Sequence, residues 1–116
     1  MIRKFEQVMK AAGDPTRARM LKLLEGGDLT VGQMVAVIRA RQSTISSHLA
    51  VLSRAGLVTW RRDGRQVWYG LSSSKQNRYA PAVLALLVGW LDDDPQVRAD
   101  KRRRVSLGAR PGKQSK

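Results

Sequence analysis

The feature that most constrains the fold is a pair of short amphipathic segments joined by a tight turn at residues 39–41. In the second segment, Ile45, Leu49 and Leu52 fall at positions i, i+4 and i+7 and form one apolar stripe. The first segment has its apolar stripe at Val31, Met34, Val35 and Ile38. Two short amphipathic helices connected in this way predict a helix-turn-helix.

The outward face of the second predicted helix is made of small and hydroxyl-bearing side chains. They are Ser43, Ser46, Ser47 and Ala50, with Arg54 near the end of the helix. Small side chains allow a helix to approach a partner closely, and hydroxyls can both donate and accept hydrogen bonds. This chemistry suits the DNA major groove, whereas a merely solvated face would carry more Lys and Glu.

Residues 42–49, followed by Leu52 and residues 55–58, resemble the recognition-helix signature of the ArsR/SmtB family of bacterial winged-helix repressors. Residues 12–17 resemble the opening motif of the same family, and the whole resemblance covers residues 5–91. It implies a dimeric, sequence-specific DNA-binding repressor that binds an operator with two half-sites. The predicted fold is mainly α with a small β-hairpin, a winged helix-turn-helix of order α-α-α-α-β-β-α.

The sensing part of the family pattern is missing. Where metal sensors of the family carry a cysteine pair, this chain has Thr30 and Gly32, and it contains no cysteine and a single histidine, His48. A hydroxyl and a hydrogen cannot replace thiolate ligands. We therefore expect no metal site, no cofactor and no arsenic site, and an unidentified signal that is neither thiol-based nor metallic.

Length and charge suggest one domain and a polyanionic partner. The 116 residues carry a net charge of +13, and eight basic residues but one acidic residue follow Val97. We predict a DNA-binding and dimerisation domain over residues 1–97 and a basic, disordered tail over residues 98–116. The tail either only solubilises the protein or adds non-specific DNA affinity.

The first 30 residues predict two helices in close succession and the start of a third. Ile2, Phe5 and Met9 make an amphipathic first helix that ends near Gly13. Asp14 is suited to the N-cap of the next helix, with proline at its first position. Thr30 has the spacing to Gln33 of a capping box, which starts the third helix at residue 31.

After Gly56 the pattern alternates and predicts a β-hairpin, the wing, with Asp63-Gly64 as its two-residue loop. The face expected to cover the helices carries Val58, Trp60, Val67 and Tyr69. The opposite face carries Thr59, Arg61, Gln66 and Trp68, and the role of Trp68 stays open between an interface residue and a wrong register.

Eleven residues are predicted to contact DNA. They are Arg39, Arg41, Gln42, Ser43, Thr44, Ser46, Ser47, His48, Arg61, Arg62 and Arg65. The turn arginines depart from the family, which commonly has glycine at position 39 and an N-cap serine or aspartate at position 41. We interpret them as phosphate contacts, and the wing arginines as minor-groove contacts, against the alternative of solvated charges.

The segment 77–91 is too apolar for a peripheral helix, which predicts a homodimer interface rather than one large core. The interface residues are predicted to be Phe5, Val83, Leu84, Leu87, Val88, Trp90 and Leu91. The acidic run 92–94 ends this helix and is expected to pair with residues 101–104, with a hard-cation site as the weaker alternative.

No catalytic motif is present, so the chain is not expected to be an enzyme. No apolar leader or membrane-spanning run is present either, which predicts a cytoplasmic protein without a membrane partner. The rival functions are a non-specific DNA-architectural protein, an arsenic or metal regulator that has lost its cysteine site, and a winged-helix module that binds protein.

Overall fold

The computed structural model describes residues 2–73 and 77–108. Nine elements follow one another within these described residues. They are α1 (Ile2–Gly13), α2 (Pro15–Leu24), β1 (Leu29–Thr30), α3 (Val31–Ile38), α4 (Gln42–Arg54), β2 (Val58–Asp63), β3 (Gln66–Leu71), α5 (Tyr79–Leu87) and α6 (Pro95–Ser106). The predicted winged helix-turn-helix is confirmed, with β1 and α6 as additions.

The predicted starts of α2 and α3 are confirmed by their side-chain caps. Asp14 Oδ2 accepts a hydrogen bond from the backbone N–H of Arg17 at 3.0 Å, and Pro15 opens α2. Thr30 Oγ1 accepts from Gln33 N at 3.2 Å, while Gln33 Oε1 accepts from Thr30 N at 3.0 Å, which is a complete capping box. Local side-chain chemistry therefore sets where these helices begin.

The core lies between the first four helices, the inner side of α5 and one face of the sheet. Its fully buried members include Val8, Met20, Leu21, Leu29, Met34, Val37, Ile45, Leu49, Leu52 and Leu57. The apolar stripe predicted for the second helix of the pair thus lies entirely inside. Because α4 is held by its buried stripe, its opposite face must point away from the protein.

The three strands form an antiparallel sheet in the order β1-β3-β2. The predicted loop was wrong by one residue, because Asp63 pairs with Gln66 and the two-residue loop is Gly64-Arg65. Gly64 has φ +65° at the first loop position, as a type II′ turn requires. Val58 and Tyr69 cover the helices as predicted, but Trp60 is 55% exposed.

The C-terminal part differs most from the prediction. α5 ends at Leu87, and the chain continues through Gly89 and Leu91, both with positive φ, so residues 88–91 do not extend the helix. The boundary placed between residues 97 and 98 falls inside α6, which packs against α2 and α3 with Val97, Asp100 and Arg104 buried. The rest of the predicted tail, residues 109–116, lies outside the described residues.

Within residues 2–73 and 77–108, no helix is long and apolar enough to cross a bilayer.

Candidate nucleic-acid interface

The exposed face of α4 is built from the residues predicted to read DNA. Gln42, Ser43, Thr44, Ser46 and Ser47 are all exposed and occupy the first two turns of the helix. Ile45, between them, is fully buried and fixes the rotation of this end of the helix. The structure thus brings five short polar side chains to one projecting helix end, as the sequence predicts.

The turn before α4 is strained and positively charged. Arg39 adopts the left-handed conformation, with φ 64° and ψ 46°, which costs a non-glycine residue about 1–2 kcal/mol. Arg41 is the N-cap residue of α4 and makes no side-chain capping hydrogen bond. Both arginines are exposed. Position 39 has a conformation that favours glycine, and position 41 is an N-cap that favours serine or aspartate. Both positions nevertheless carry arginine next to the start of α4.

His48 is half-buried and connects α4 to the end of α1. Arg17 Nη1 lies 3.2 Å from His48 Nδ1, and since arginine can only donate, Nδ1 accepts this hydrogen bond. Arg17 Nε also donates to Ala11 O at 2.8 Å. The backbone N–H of Arg17 holds the pKa of the Asp14 carboxyl below its usual value. Sequence reasoning missed Arg17, although it belongs to the opening motif.

The tip of the wing presents Arg62 and Arg65, both exposed, on either side of the loop. Arg61 behaves differently and does not join them. Its Nε lies 3.4 Å from Asp28 Oδ2, and its guanidinium lies 5.8 Å from the ring centroid of Trp68. Arg61 therefore secures the base of the wing, and Trp68 supports it on the face opposite the helices.

Gly70 is a site residue that sequence reasoning missed. It is buried next to Asp28, and a Cβ atom at this position would collide with the Asp28 carboxylate. The missing side chain lets the carboxylate sit against β3 and reach Arg61. A glycine inside an otherwise alternating strand is the signal that could have indicated such a close approach.

An apolar face on α1 and α5 remains uncovered. Phe5, Met9 and Leu86 are each between 43% and 48% exposed, and Phe5 makes an edge-to-face contact with Tyr79 at 5.7 Å between centroids. With Ala82 they border a shallow apolar depression of about 240 Å³. These apolar side chains at the junction of α1 and α5 therefore stay in contact with solvent in the single chain.

The predicted interface residues divide between this face and the interior. Val83 and Leu87, each 9% exposed, pack into the core of their own chain, and Leu84 is half-buried. Val88, Trp90 and Leu91 are exposed, but they follow the end of α5. The helix is shorter than predicted, so its apolar residues are used partly for the core of the same chain.

Two of the three carboxylates that follow α5, those of Asp92 and Asp94, pair with groups of the same chain. Asp92 Oδ1 lies 2.9 Å from the Nζ atom of Lys22, whose side chain is fully buried, and 3.4 Å from that of Lys101. The hydrogen bond from Lys22 lowers the pKa of Asp92, and Lys101 adds to the effect. Asp94 caps α6 by accepting from the backbone N–H groups of Gln96 and Val97. Among the described residues, no three potential metal-binding side chains lie together.

Comparison with known proteins identifies this arrangement. Residues 14–59 match the family model described as bacterial regulatory protein, arsR family. The transcriptional repressor SdpR of Bacillus subtilis is 37% identical over 70 residues, which cover 60% of this chain and 78% of SdpR. The chain belongs to the ArsR family.

Solved structures of similar proteins agree with the fold. The transcriptional repressor BigR from Xylella fastidiosa superimposes with a TM-score of 0.63 at 30% identity, covering 75% of this chain and 83% of BigR. The homodimeric winged helix-turn-helix domain of Mb0332 from Mycobacterium bovis gives a TM-score of 0.64 at 25% identity, covering 90% and 85%. This ArsR-family chain is a transcriptional regulator with a DNA-binding fold, not an enzyme.

Proposed function

We propose that this chain is a dimeric repressor that recognises an operator through the N-terminal end of α4. The observation that carries the proposal is the cluster of exposed polar side chains in the first two turns of α4, next to the exposed Arg39 and Arg41. A helix end with this chemistry fits the major groove, where base edges offer distinct donor and acceptor patterns. In this proposal the two arginines contact backbone phosphates next to the groove.

The other predicted contact residues have separate roles. Arg62 and Arg65 at the wing tip contact the minor groove, whose narrow stretches attract guanidinium groups. Arg61 keeps the wing in place through Asp28 rather than binding DNA directly. His48 sets the position of α4 through Arg17. In this proposal α4 recognises the DNA sequence, whereas the arginines contribute affinity that does not depend on the sequence.

The dimer forms through the apolar face of α1 and α5. This face is uncovered in the single chain, and the similar domain of Mb0332 is homodimeric. A symmetric dimer presents two recognition helices to successive major grooves, so the operator has two half-sites about one helical turn, or 10 base pairs, apart. The dimer is expected to act in the cytoplasm, where the DNA is.

The signal that releases the repressor is neither a metal nor a thiol reaction. Thr30 and Gly32 stand where metal sensors of the family carry cysteines, and the chain has no cysteine at all. Zinc, cadmium or arsenite added to the protein–operator complex is therefore expected to leave the DNA affinity unchanged. Release by a stoichiometric amount of any of them would instead favour the alternative of a metal regulator with an altered site.

A non-specific DNA-architectural function is the second candidate, and the net charge of +13 favours it. Selection of bound sequences from a random duplex pool separates the two functions. A repressor enriches a site with two-fold symmetry and binds it more tightly than shuffled DNA by a factor of about 10³ or more at physiological salt. No enrichment, with equal binding to all duplexes, would contradict operator recognition.

A further inference from the structure

Hydrogen bonds connect the basic helix α6, together with α2, to the end of α3, just before the turn that precedes α4. Arg103 Nη1 donates to the backbone carbonyl of Val37, and Arg19 Nη2 donates to that of Ile38 at 3.5 Å. These two residues end α3, and α4 begins at Gln42. The carbonyls at a helix C-terminus lack partners within the helix, so the two guanidiniums satisfy groups at the corner of the helix-turn-helix.

Asp100 is the anchor of this arrangement and is only 1% exposed. Its carboxylate accepts from Arg19 Nε at 2.9 Å and Nη2 at 3.0 Å, and from Gln96 Nε2 at 3.0 Å. Arg103 Nη1 lies 3.5 Å from Oδ1. The hydrogen bonds to Asp100 raise the pKa of Arg19. One buried carboxylate therefore holds α2 and α6 together beside the end of α3.

The outer surface of α6 is strongly cationic. Arg98 and Arg102 are exposed, and neither has an ion-pair partner within residues 2–73 and 77–108. Asp100 is the sole acidic residue between positions 95 and 108, and its side chain is buried. Exposed like charges on one helix repel one another, and a polyanion that covers them stabilises such a surface.

We propose that α6 is a second DNA-contacting element, in which Arg98 and Arg102 bind phosphates outside the base pairs read by α4. The proposal rests on the proposed function and extends its surface. Guanidinium groups bind phosphate well, and phosphate contacts add affinity without sequence information. Asp100 is a positioning residue, because it fixes the helix that carries these arginines relative to the recognition helix.

The test compares Arg98→Ala/Arg102→Ala with wild type on an operator obtained by selection, placed in a duplex with long flanks. Each phosphate contact contributes about 0.9 to the slope of log K against log salt, so the slope should become shallower by up to about two per DNA-bound protomer. The ratio of operator to random affinity should stay the same. Hydroxyl-radical footprinting should lose protection at phosphates other than those lost in Arg62→Ala/Arg65→Ala.

Arg78→Ala is the matched control for the single variants Arg98→Ala and Arg102→Ala, since each removes one charge. Arg78 is exposed just before α5, where Asn77 bonds to Ala55 at the far end of α4. A slope and footprint of each single variant equal to those of this control would overturn the proposal. Failure of the wild type to bind any selected duplex would instead contradict the proposed function.

The positioning role of Asp100 is tested with a separate variant. Asp100→Asn keeps the size of the side chain but removes the charge that holds Arg19 and Arg103. We expect the same loss of flanking footprint, together with a lower ratio of operator to random affinity, because the turn before α4 is no longer fixed. An unchanged ratio and footprint would remove the positioning role. If Asp100→Asn does not fold, the exposed pair Arg98 and Arg102 still decides the proposal.

Discussion

Leu86→Glu should separate the dimer into folded monomers. Leu86 is 48% exposed in the single chain and borders the apolar depression between α1 and α5. A carboxylate here stays hydrated in the monomer but becomes buried without a partner in the proposed dimer. Such burial costs about 3 kcal/mol, and two copies per dimer cost about 6 kcal/mol. At about 1.4 kcal/mol per decade, the dissociation constant of the dimer should rise about 10⁴-fold.

Sedimentation velocity over a range of concentrations measures this effect, and circular dichroism verifies the fold. Val105→Glu is the matched control, since Val105 is an exposed apolar residue on α6, outside the proposed interface. Leu87→Glu is unsuitable, because Leu87 belongs to the core of its own chain. A Leu86→Glu protein that sediments as a dimer, or a wild type that is monomeric at micromolar concentration, would refute the reasoning.

Three further variants test local features. Arg39→Gly should raise the free energy of unfolding, measured in urea, by about 1 kcal/mol, because glycine relieves the left-handed strain. The same variant should bind DNA more weakly. A gain in both stability and DNA affinity would contradict a phosphate contact by Arg39. Gly70→Ala should destabilise by about 1–3 kcal/mol in the same assay, because its Cβ displaces Asp28; unchanged stability would rule out the close approach. Asp14→Ala should cost about 0.5–2 kcal/mol at pH 7. The pKa of Asp14 is lowered in the folded protein, so its stabilising contribution is complete above the unfolded pKa of about 3.9 and is lost as the pH falls through the folded pKa. The difference in unfolding free energy between Asp14→Ala and wild type should therefore disappear in acid. A difference that stays constant with pH would argue against an ionised cap.

Much of the fold could be predicted because it depends on local signals. The caps at Asp14 and Thr30 act over three residues, and the stripe of α4 repeats every turn. The wing loop shows the limit of such signals. Asp63-Gly64 and Gly64-Arg65 both give a two-residue loop with glycine at positive φ, and both registers leave the same residues on each face. Alternation alone therefore could not distinguish them.

α6 could not be predicted because its stabilising contacts are distant in sequence. A run of basic residues is typical of a solvated tail, yet Asp100 and Arg104 are buried against residues more than 70 positions away. Arg104 donates to the carbonyls of Leu23 and Gly27, each at 3.1 Å, and so caps the end of α2. The exposed face of α4 was easier to predict, because polar residues opposite a buried stripe must lie outside.

The central claim, that α4 reads the operator while the wing arginines only hold it, is tested most directly by two double variants. Binding of Ser46→Ala/Ser47→Ala and Arg62→Ala/Arg65→Ala is measured on the selected operator and on random duplex at two salt concentrations. The serine variant should lose about 1–3 kcal/mol of discrimination for each base contact removed, with little change on random DNA. The arginine variant should weaken binding to both duplexes and make the salt dependence shallower. Equal losses by the serine variant on operator and random DNA would contradict the assignment of α4 as the reading helix.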